Sequence, residues 1–457
     1  MASSNVFPIK DLTRGPVAGN LFCFSAPLIL INVLQAVYNV ADMAIAGHFT
    51  GASGITAIST GGQITNILLM LGLGLSNGCS IVTGQLVGSG HRTRLRELLL
   101  SILPIAGLAA AILSLGIGLF CHPILQALHV PAEAYSETRQ YLLICLTGTV
   151  SIYLYNILAS VLRGMGDSVH PMMFMTCSTV INIVLDYLFV GIFPFGVVGA
   201  AVATVLSQTC SMLLILLYML RRTDLLRRGA EPFRFNRKLV LMVLKIGLPQ
   251  AAQFASTQFS LLLVAGVVNS FGVIQAAAVG ASNKAGTFAQ LPGQALNAGI
   301  LTTTAQNLPK QNYGRIKHSM VCAMLFGLII SGFFTLTAIV IPQGILGIFT
   351  DNTAVLAAGT EYLLLLSIGI MIENIVYATT GIVSGAGYTR ITMAASMTSA
   401  VSRVYITYFL QEQSFGVFSA GLAALIAPCI PVIIITFILL SGKWKVSAIQ
   451  RELSALG

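Results

Sequence analysis

Twelve apolar stretches of roughly 20 residues or more, the length a helix needs to cross a bilayer, recur from one end of the chain to the other. Their cores run Leu21 to Ile45, Ile55 to Val87, Leu95 to Phe120, Tyr141 to Leu162, Pro171 to Ile192 and Val197 to Leu220. A second set follows at Leu239 to Val268, Val273 to Leu308, Ser319 to Ile341, Tyr362 to Val383, Ile391 to Leu410 and Val417 to Leu440. A soluble protein of 457 residues would need a charged surface, yet only 8% of the residues are charged and 56% are hydrophobic, with a mean hydropathy of +0.88. The expected fold is therefore all-α and integral to a membrane, since a helix satisfies its own backbone in hydrocarbon. Pro27, Pro249 and Pro292 are expected kinks, and the first 20 residues lack the apolar core of a secretory signal, so the first helix is expected to be retained.

A net charge of +10 would suit nucleic acid, but its distribution argues otherwise. Lys and Arg fall in every second connection: Lys10 and Arg14, Arg92 to Arg96, Arg163, the long connection from Arg221 to Lys238, Lys310 to Lys317, Arg390, and Lys443, Lys445 and Arg451. That alternation is the positive-inside pattern; it puts both termini in the cytoplasm and excludes nucleic acid as a partner. The eight cysteines are scattered singly and the histidines form no ligand pair, so neither a metal centre nor a nucleophile is indicated.

The sequence repeats itself. A shift of 221 residues lays Tyr141-Leu142-Leu143 on Tyr362-Leu363-Leu364 and Gly164-Met165-Gly166 on Gly385-Ala386-Gly387. Past a short outer turn the shift becomes 220, placing Phe195-Gly196-Val197 on Phe415-Gly416-Val417. Six crossings per half give both halves the same orientation, a parallel repeat about an axis along the membrane normal. The expected organisation is an N-terminal lobe over 1–220, an inter-lobe linker over 221–238, a C-terminal lobe over 239–441 and a cytoplasmic tail over 442–457. Two such lobes around a cavity suit alternating access, hence a transporter.

Ionisable side chains at membrane depth cost on the order of 2.5 kcal/mol or more, so they mark a bundle interior or a watery path. Asp42, Asp186, Lys284, Glu373 and Arg403 are the candidates. In the first segment Gln35, Tyr38, Asn39 and Asp42 recur at spacings of three and four, which puts them on one helix face. Asn182 and Asp186 stand at i and i+4 in the fifth. With Asn156 and Thr204 at comparable depth, two carboxylates and neutral oxygens converge in one half. Two nearby carboxylates cannot both be ionised cheaply in a low dielectric, so one holds a proton or the pair holds a cation. Na+ and H+ both suit the set, and no other cofactor is indicated. In the second half Asp186 maps to Thr407 and Asn182 to Arg403, so the site is not duplicated. Glu373 and Tyr377, with Gln253, Asn283 and Thr287, are candidates to line the substrate cavity, while Lys284 or Arg403 could instead pair with Glu373.

With these residues placed, the chain resembles the multidrug and toxic compound extrusion (MATE) family over nearly its full length. The motifs are SAPLILINVLQAVYNVADMAIAGHF, GCSIVTGQLVGSGHRTRLRE, ASVLRGMGDSVHP, INIVLDYLFV and KIGLPQAAQ, in this order and spacing. The resemblance implies a V-shaped pair of six-helix lobes exporting amphipathic compounds in exchange for Na+ or H+. It further implies that Asp42, Asn156, Asn182, Asp186 and Thr204 form the cation site and that Glu373 fills the acidic position of the tenth segment. Lys284 and Arg403 depart from the family pattern and leave room for anionic or zwitterionic substrates. A lipid-linked precursor flippase of the same superfamily is the alternative within transport, and a membrane-embedded enzyme the alternative outside it. The expected setting is a bacterial-type plasma membrane, with lipid and a small amphipathic molecule as partners; no segment specifies an oligomeric state, and a monomer is compatible with all of them.

Overall fold

The computed structural model describes residues 11–449 except 92, 129, 194, 224, 227–234 and 414, and leaves aside the side chains of 39, 43, 44, 46 and 52. Lys10, Arg92, half of the 221–238 connection and the end of the tail thus lie outside the described residues. Those described are helical, with no strand among them. The long helices are α1 (Val17–Gly51), α2 (Ser53–Gly88), α3 (Arg94–Leu119), α4 (Ala132–Gly164), α5 (Val169–Ile192), α6 (Gly196–Arg222) and α7 (Arg237–Ser270). They continue as α8 (Val273–Asn307), α9 (Tyr313–Val340), α10 (Thr353–Gly385), α11 (Thr389–Glu412) and α12 (Val417–Leu440).

Ten of these are apolar enough to count as spans by composition alone, and the two that are not, α8 and α11, are informative. α8 carries Asn283, Lys284, Thr287, Gln290 and Gln294, and α11 carries Arg390, Ser399, Arg403 and Thr407. Helices of full spanning length with polar stripes have a wet or protein-covered face inside the membrane. On the lipid side the pattern reverses: Leu108, Ile112, Leu115 and Leu119 of α3 are exposed at one-turn intervals, as are Leu325, Ile329, Phe333 and Leu336 of α9. Pro27, Pro249 and Pro292 lie inside helices, joined by Pro104.

The repeat reappears as backbone. α1 turns into α2 at Gly51 with φ of 70°, and α7 turns into α8 at Gly272 with φ of 102°, a left-handed region that side chains strain. Short helices follow α3 and α9 at matching positions, Cys121–Ala127 and Pro342–Gly347.

By packing, the chain divides into two units. The first comprises Asp11 and Leu30–Ala251, so it includes the start of α7. Its core gathers Ala57, Ile58, Tyr141, Cys145, Val190, Val197 and Ala200. Lipid tails are as apolar as leucine, so close backbone approach replaces the hydrophobic effect as the source of helix association. Gly164 of α4 lies so near α2 that a Cβ would fall 2.6 Å from the Thr83 Cβ and 2.7 Å from the Ser80 carbonyl oxygen. Gly78 of α2 likewise faces the α7 backbone, 2.7 Å from the Val243 carbonyl oxygen.

The second unit comprises Leu12–Ile29 and the chain from Ala252 onward. The same contacts recur: Gly385 of α10 would put a Cβ 2.6 Å from the Leu301 carbonyl oxygen of α8, and Gly299 of α8 faces Ser25 and Leu21 of α1. Tyr153 covers Gly72 in the first unit and Asn374 covers Gly293 in the second, again 221 residues apart. The segment before α1 is gripped here by Arg315, whose guanidinium donates to the carbonyls of Leu12 (2.8 Å), Gly15 (2.7 Å) and Arg14 (2.7 Å). Residues just past α12 dock on the same unit: Trp444 is 1% exposed, edge-on to Tyr313, and donates its indole N–H to the Leu439 carbonyl at 3.1 Å.

These glycine contacts predict that Gly164→Leu and Gly385→Leu each destabilise the protein by about 1–3 kcal/mol through overpacking. Gly116→Leu, where nothing lies within 4 Å of the added Cβ, is the matched control. Thermal melting of the detergent-purified protein, followed by monodisperse gel-filtration peak, should separate the two buried positions from the control.

Candidate functional site

The two buried aspartates of the first unit lie in the C-terminal halves of α1 and α5. Asp42 of α1 is 7% exposed, and Asn182 and Asp186 of α5 are 1% and 0% exposed. The helical repeat puts Thr179, Asn182 and Asp186 on one face of α5. Directly after Asp186 the helix widens into a π-helical stretch, Tyr187–Ile192. Such stretches are uncommon and gather at functional positions. Tyr38, one turn before Asp42, is joined to Thr204 of α6 by a hydroxyl–hydroxyl hydrogen bond of 3.2 Å. The charges of Asp42 and Asp186 reach each other and the Tyr38 hydroxyl.

What sets this cluster apart is how little of it is paired. Asp42 Oδ1, both carboxylate oxygens of Asp186, both amide atoms of Asn182 and the Thr179 hydroxyl are buried without a hydrogen-bond partner. Each such atom left dry costs about 1–3 kcal/mol, and several together approach the net stability of a whole domain. Such atoms are free to be taken up by water or by a bound species. Carboxylate, amide and hydroxyl oxygens are the donor set of a hard cation, or of a proton shared with water.

Of the residues expected from sequence, Tyr38, Asp42, Asn182, Asp186 and Thr204 come together. The Asn39 side chain lies outside the described residues, and Gln35 is half-buried on the same helix. Asn156 is buried on α4, its amide donating to the Ile152 carbonyl at 2.9 Å. It stands eleven residues beyond Cys145, about 16 Å by helical rise, and none of its hydrogen bonds reaches the carboxylates. Tyr141 and Cys145 of α4, by contrast, lie within reach of the Asp42 charge. They and Thr179 were not singled out by sequence. Thr179 shares the spacing that marked Asn182 and Asp186, but the α4 residues carry no comparable signal. Among the described residues no group of three or more His, Cys, Asp or Glu could hold a metal ion.

The second unit assembles a different set. Glu373 of α10 is half-buried, and the cation whose charge reaches it is Arg403 of α11. Tyr362 and Tyr377, on the same α10 face, also feel Arg403. Tyr362 donates to the side-chain oxygen of Asn283 on α8 at 2.9 Å. Lys284 and Thr287 are exposed on α8, with the Thr287 hydroxyl donating to the Asn283 carbonyl at 2.9 Å. Gln253 is half-buried on α7, where its backbone carbonyl accepts from Ser256 and Thr257.

A family model, MatE, matches the chain twice, over residues 27–188 and 249–409. The two matches start and stop about one repeat apart. Among curated relatives, the probable multidrug resistance protein YoeA of Bacillus subtilis is 28% identical over 71% of this chain and 72% of its own length. The multidrug export protein MepA of Staphylococcus aureus is 24% identical over 91% of both chains. Among solved structures, a multidrug resistance MATE family transporter in an outward-facing conformation superposes with a TM-score of 0.89 at 19% identity, covering 97% of this chain and 99% of its own. A MOP superfamily transporter from Pyrococcus furiosus gives 0.89 at 18% identity, covering 95% and 99%. Matched in both halves by one family model and along nearly its whole length by that family's fold, the chain belongs to the MatE family and is a multi-pass membrane transporter, not an enzyme.

Proposed function

We propose that the protein exports amphipathic drugs or toxic small molecules by antiport, driven by inward movement of Na+ or H+ through a site built on Asp42 and Asp186. The observation that carries this is the cluster of buried oxygens on α1 and α5 that have no hydrogen-bond partner among the described residues. Asn182, Thr179 and Thr204 supply neutral oxygens, Tyr38 closes the site toward α6, and Asn156 stands further along α4. Binding of a cation or proton removes the repulsion between the carboxylates, and its release restores it, so occupancy distinguishes two states of the site. Residues 1–220 and 239–441 act as the two lobes of alternating access, joined by 221–238. The alternation of basic connections supports both termini in the cytoplasm of a plasma membrane. The names of the relatives, multidrug resistance and multidrug export proteins, support the substrate class.

In an efflux-deficient bacterium, expression should raise tolerance to several chemically unrelated amphipathic dyes and antibiotics. Unchanged accumulation across a broad panel, with membrane insertion confirmed, would favour a narrow substrate or a lipid-linked precursor instead.

The site itself is tested in proteoliposomes with Na+ and pH gradients imposed independently. Asp42→Asn and Asp186→Asn keep size and remove charge, so each should fold and lose at least about tenfold of gradient-driven flux. Because both act on one event, the double variant should be little worse than either alone, whereas independent sites would add. Full coupled flux from either single variant would sink the assignment.

A further inference from the structure

Away from the carboxylates, the first unit holds an apolar groove of about 370 Å³ among α3, α4 and α6. Pro104 and Gly107 of α3, Leu154 and Leu158 of α4, and Met212 and Leu216 of α6 line it, and no polar side chain does. Both α3 and α6 pack on α4. The space exists partly because Gly107 withholds a side chain: a Cβ there would stand 3.7 Å from Cδ2 of Leu154, an ordinary contact, with nothing else within 4 Å. At its edge lies Leu108, 62% exposed and the first of the stripe that continues through Ile112, Leu115 and Leu119 on the lipid side. The groove therefore opens onto hydrocarbon, and its volume is that of a small-molecule site. Left empty, its walls would forfeit their dispersion contacts on one side, and water has no polar partner there.

Depth and charge say what fills it. The start of α3 and the ends of α4 and α6 share one side of the membrane, since successive crossings alternate in direction. By helical rise the lining residues stand about 9 Å (Leu158 from Gly164), 15 Å (Met212 from Arg222) and 20 Å (Gly107 from Arg94) from those ends. That is the depth of the acyl chains of one leaflet, half a bilayer being about 20 Å thick with its headgroups. The stripe of Met212 and Leu216 continues through Leu220 to the last turn of α6, which carries Arg221 and Arg222. Both arginines are exposed, and neither is ion-paired among the described residues. The carboxylates at this end are already engaged: Glu97 by Arg94 at 3.0 Å and Asn236 at 2.8 Å, and Asp167 by His170 at 2.7 Å. An apolar channel thus runs down from a pair of exposed, uncompensated cations.

We propose that this groove seats one acyl chain of an anionic phospholipid, whose phosphate is received by Arg221 and Arg222. Guanidinium groups match phosphate oxygens in a bidentate fork, and basic residues at helix ends beside a lipid-filled cleft select anionic headgroups. A lipid held there braces α3 and α6 against α4, the helix whose Tyr141 and Cys145 lie beside Asp42. Lipid elsewhere on the stripe meets a convex surface and exchanges freely, whereas a chain among three helices is buried on several sides.

The purified full chain tests this with three additives: phosphatidylglycerol, phosphatidylcholine with the same chains, and glycerol phosphate, which has the anionic headgroup and no chain. Affinity is read by native mass spectrometry of protein–lipid complexes, and stability by thermal melting. Phosphatidylglycerol should bind about fivefold more tightly than phosphatidylcholine and raise the melting temperature further, while glycerol phosphate does neither. Gly107→Phe fills the groove from α3 and, by excluding two or more methylenes, should lower affinity for both lipids by about tenfold. Gly116→Phe, on open space of the same helix, should leave it unchanged. Arg221→Gln with Arg222→Gln should erase the preference for phosphatidylglycerol and keep the binding of phosphatidylcholine. Met212→Trp, which fills the groove from α6, replaces Gly107→Phe if that variant does not fold. Undiminished lipid affinity in the filled variant would overturn the proposal, as would equal affinity of the unmodified protein for the two lipids. Stabilisation by glycerol phosphate alone would assign the arginines to a free phosphate. Displacement of phosphatidylglycerol by dodecyltrimethylammonium at equal concentration would give the groove to cationic amphipaths; either result overturns the lipid assignment.

Discussion

Hydrocarbon offers a polar group no partner, and nearly every feature of this protein follows from that. It forces the backbone into helices, each closing its own hydrogen bonds. It also removes the hydrophobic drive for helices to pack, since a leucine gains little by leaving lipid for protein. Cohesion has to come from close approach, which is why Gly78, Gly164, Gly299 and Gly385 sit where a single added carbon would strike a neighbouring helix. Such contacts spend no polar groups, leaving the polar residues that do enter the membrane available for other work. The carboxylates on α1 and α5 and the charges on α10 and α11 are the conspicuous ones.

Much of this was legible in the sequence because the membrane imposes strong periodicities. Segment number and the 221-residue repeat follow from hydropathy and self-comparison. Asp42 with Tyr38, and Asp186 with Asn182, could be assigned to helix faces from spacing alone. The partners contributed by α4 could not. Tyr141 and Cys145 look like ordinary residues of an apolar helix, and only the packing of α4 against α1 brings them to Asp42. Asn156, on the same helix face, has the right chemistry for an ion site, but its rise along α4 carries it away from Cys145.

Other features escape the sequence for reasons of local bonding. Nothing in Tyr187-Leu188-Phe189-Val190-Gly191-Ile192 announces a π-helical stretch, because no proline or cap interrupts the apolar run; the choice lies between two hydrogen-bond registers of similar energy. Nor does the composition at the start of α1 reveal that its first residues pack with α8, where Gly299 lies opposite Ser25. The rival cations for Glu373 were Lys284 and Arg403, and no pattern ranked them. In the folded chain Lys284 is exposed on α8, and the charge felt at Glu373 is that of Arg403 on α11.

The shared glycine contacts have a bearing on ancestry. Contacts made by an absent side chain and a bare backbone are indifferent to the residues around them, so a duplicated half can keep its helix packing while its inner surface changes freely. The packing of α2 on α4 and of α8 on α10 uses the same glycines in both copies, whereas an aspartate in one copy became, or came from, a threonine in the other. One inherited frame therefore supports two chemistries, and each copy could specialise without first having to learn again how to fold.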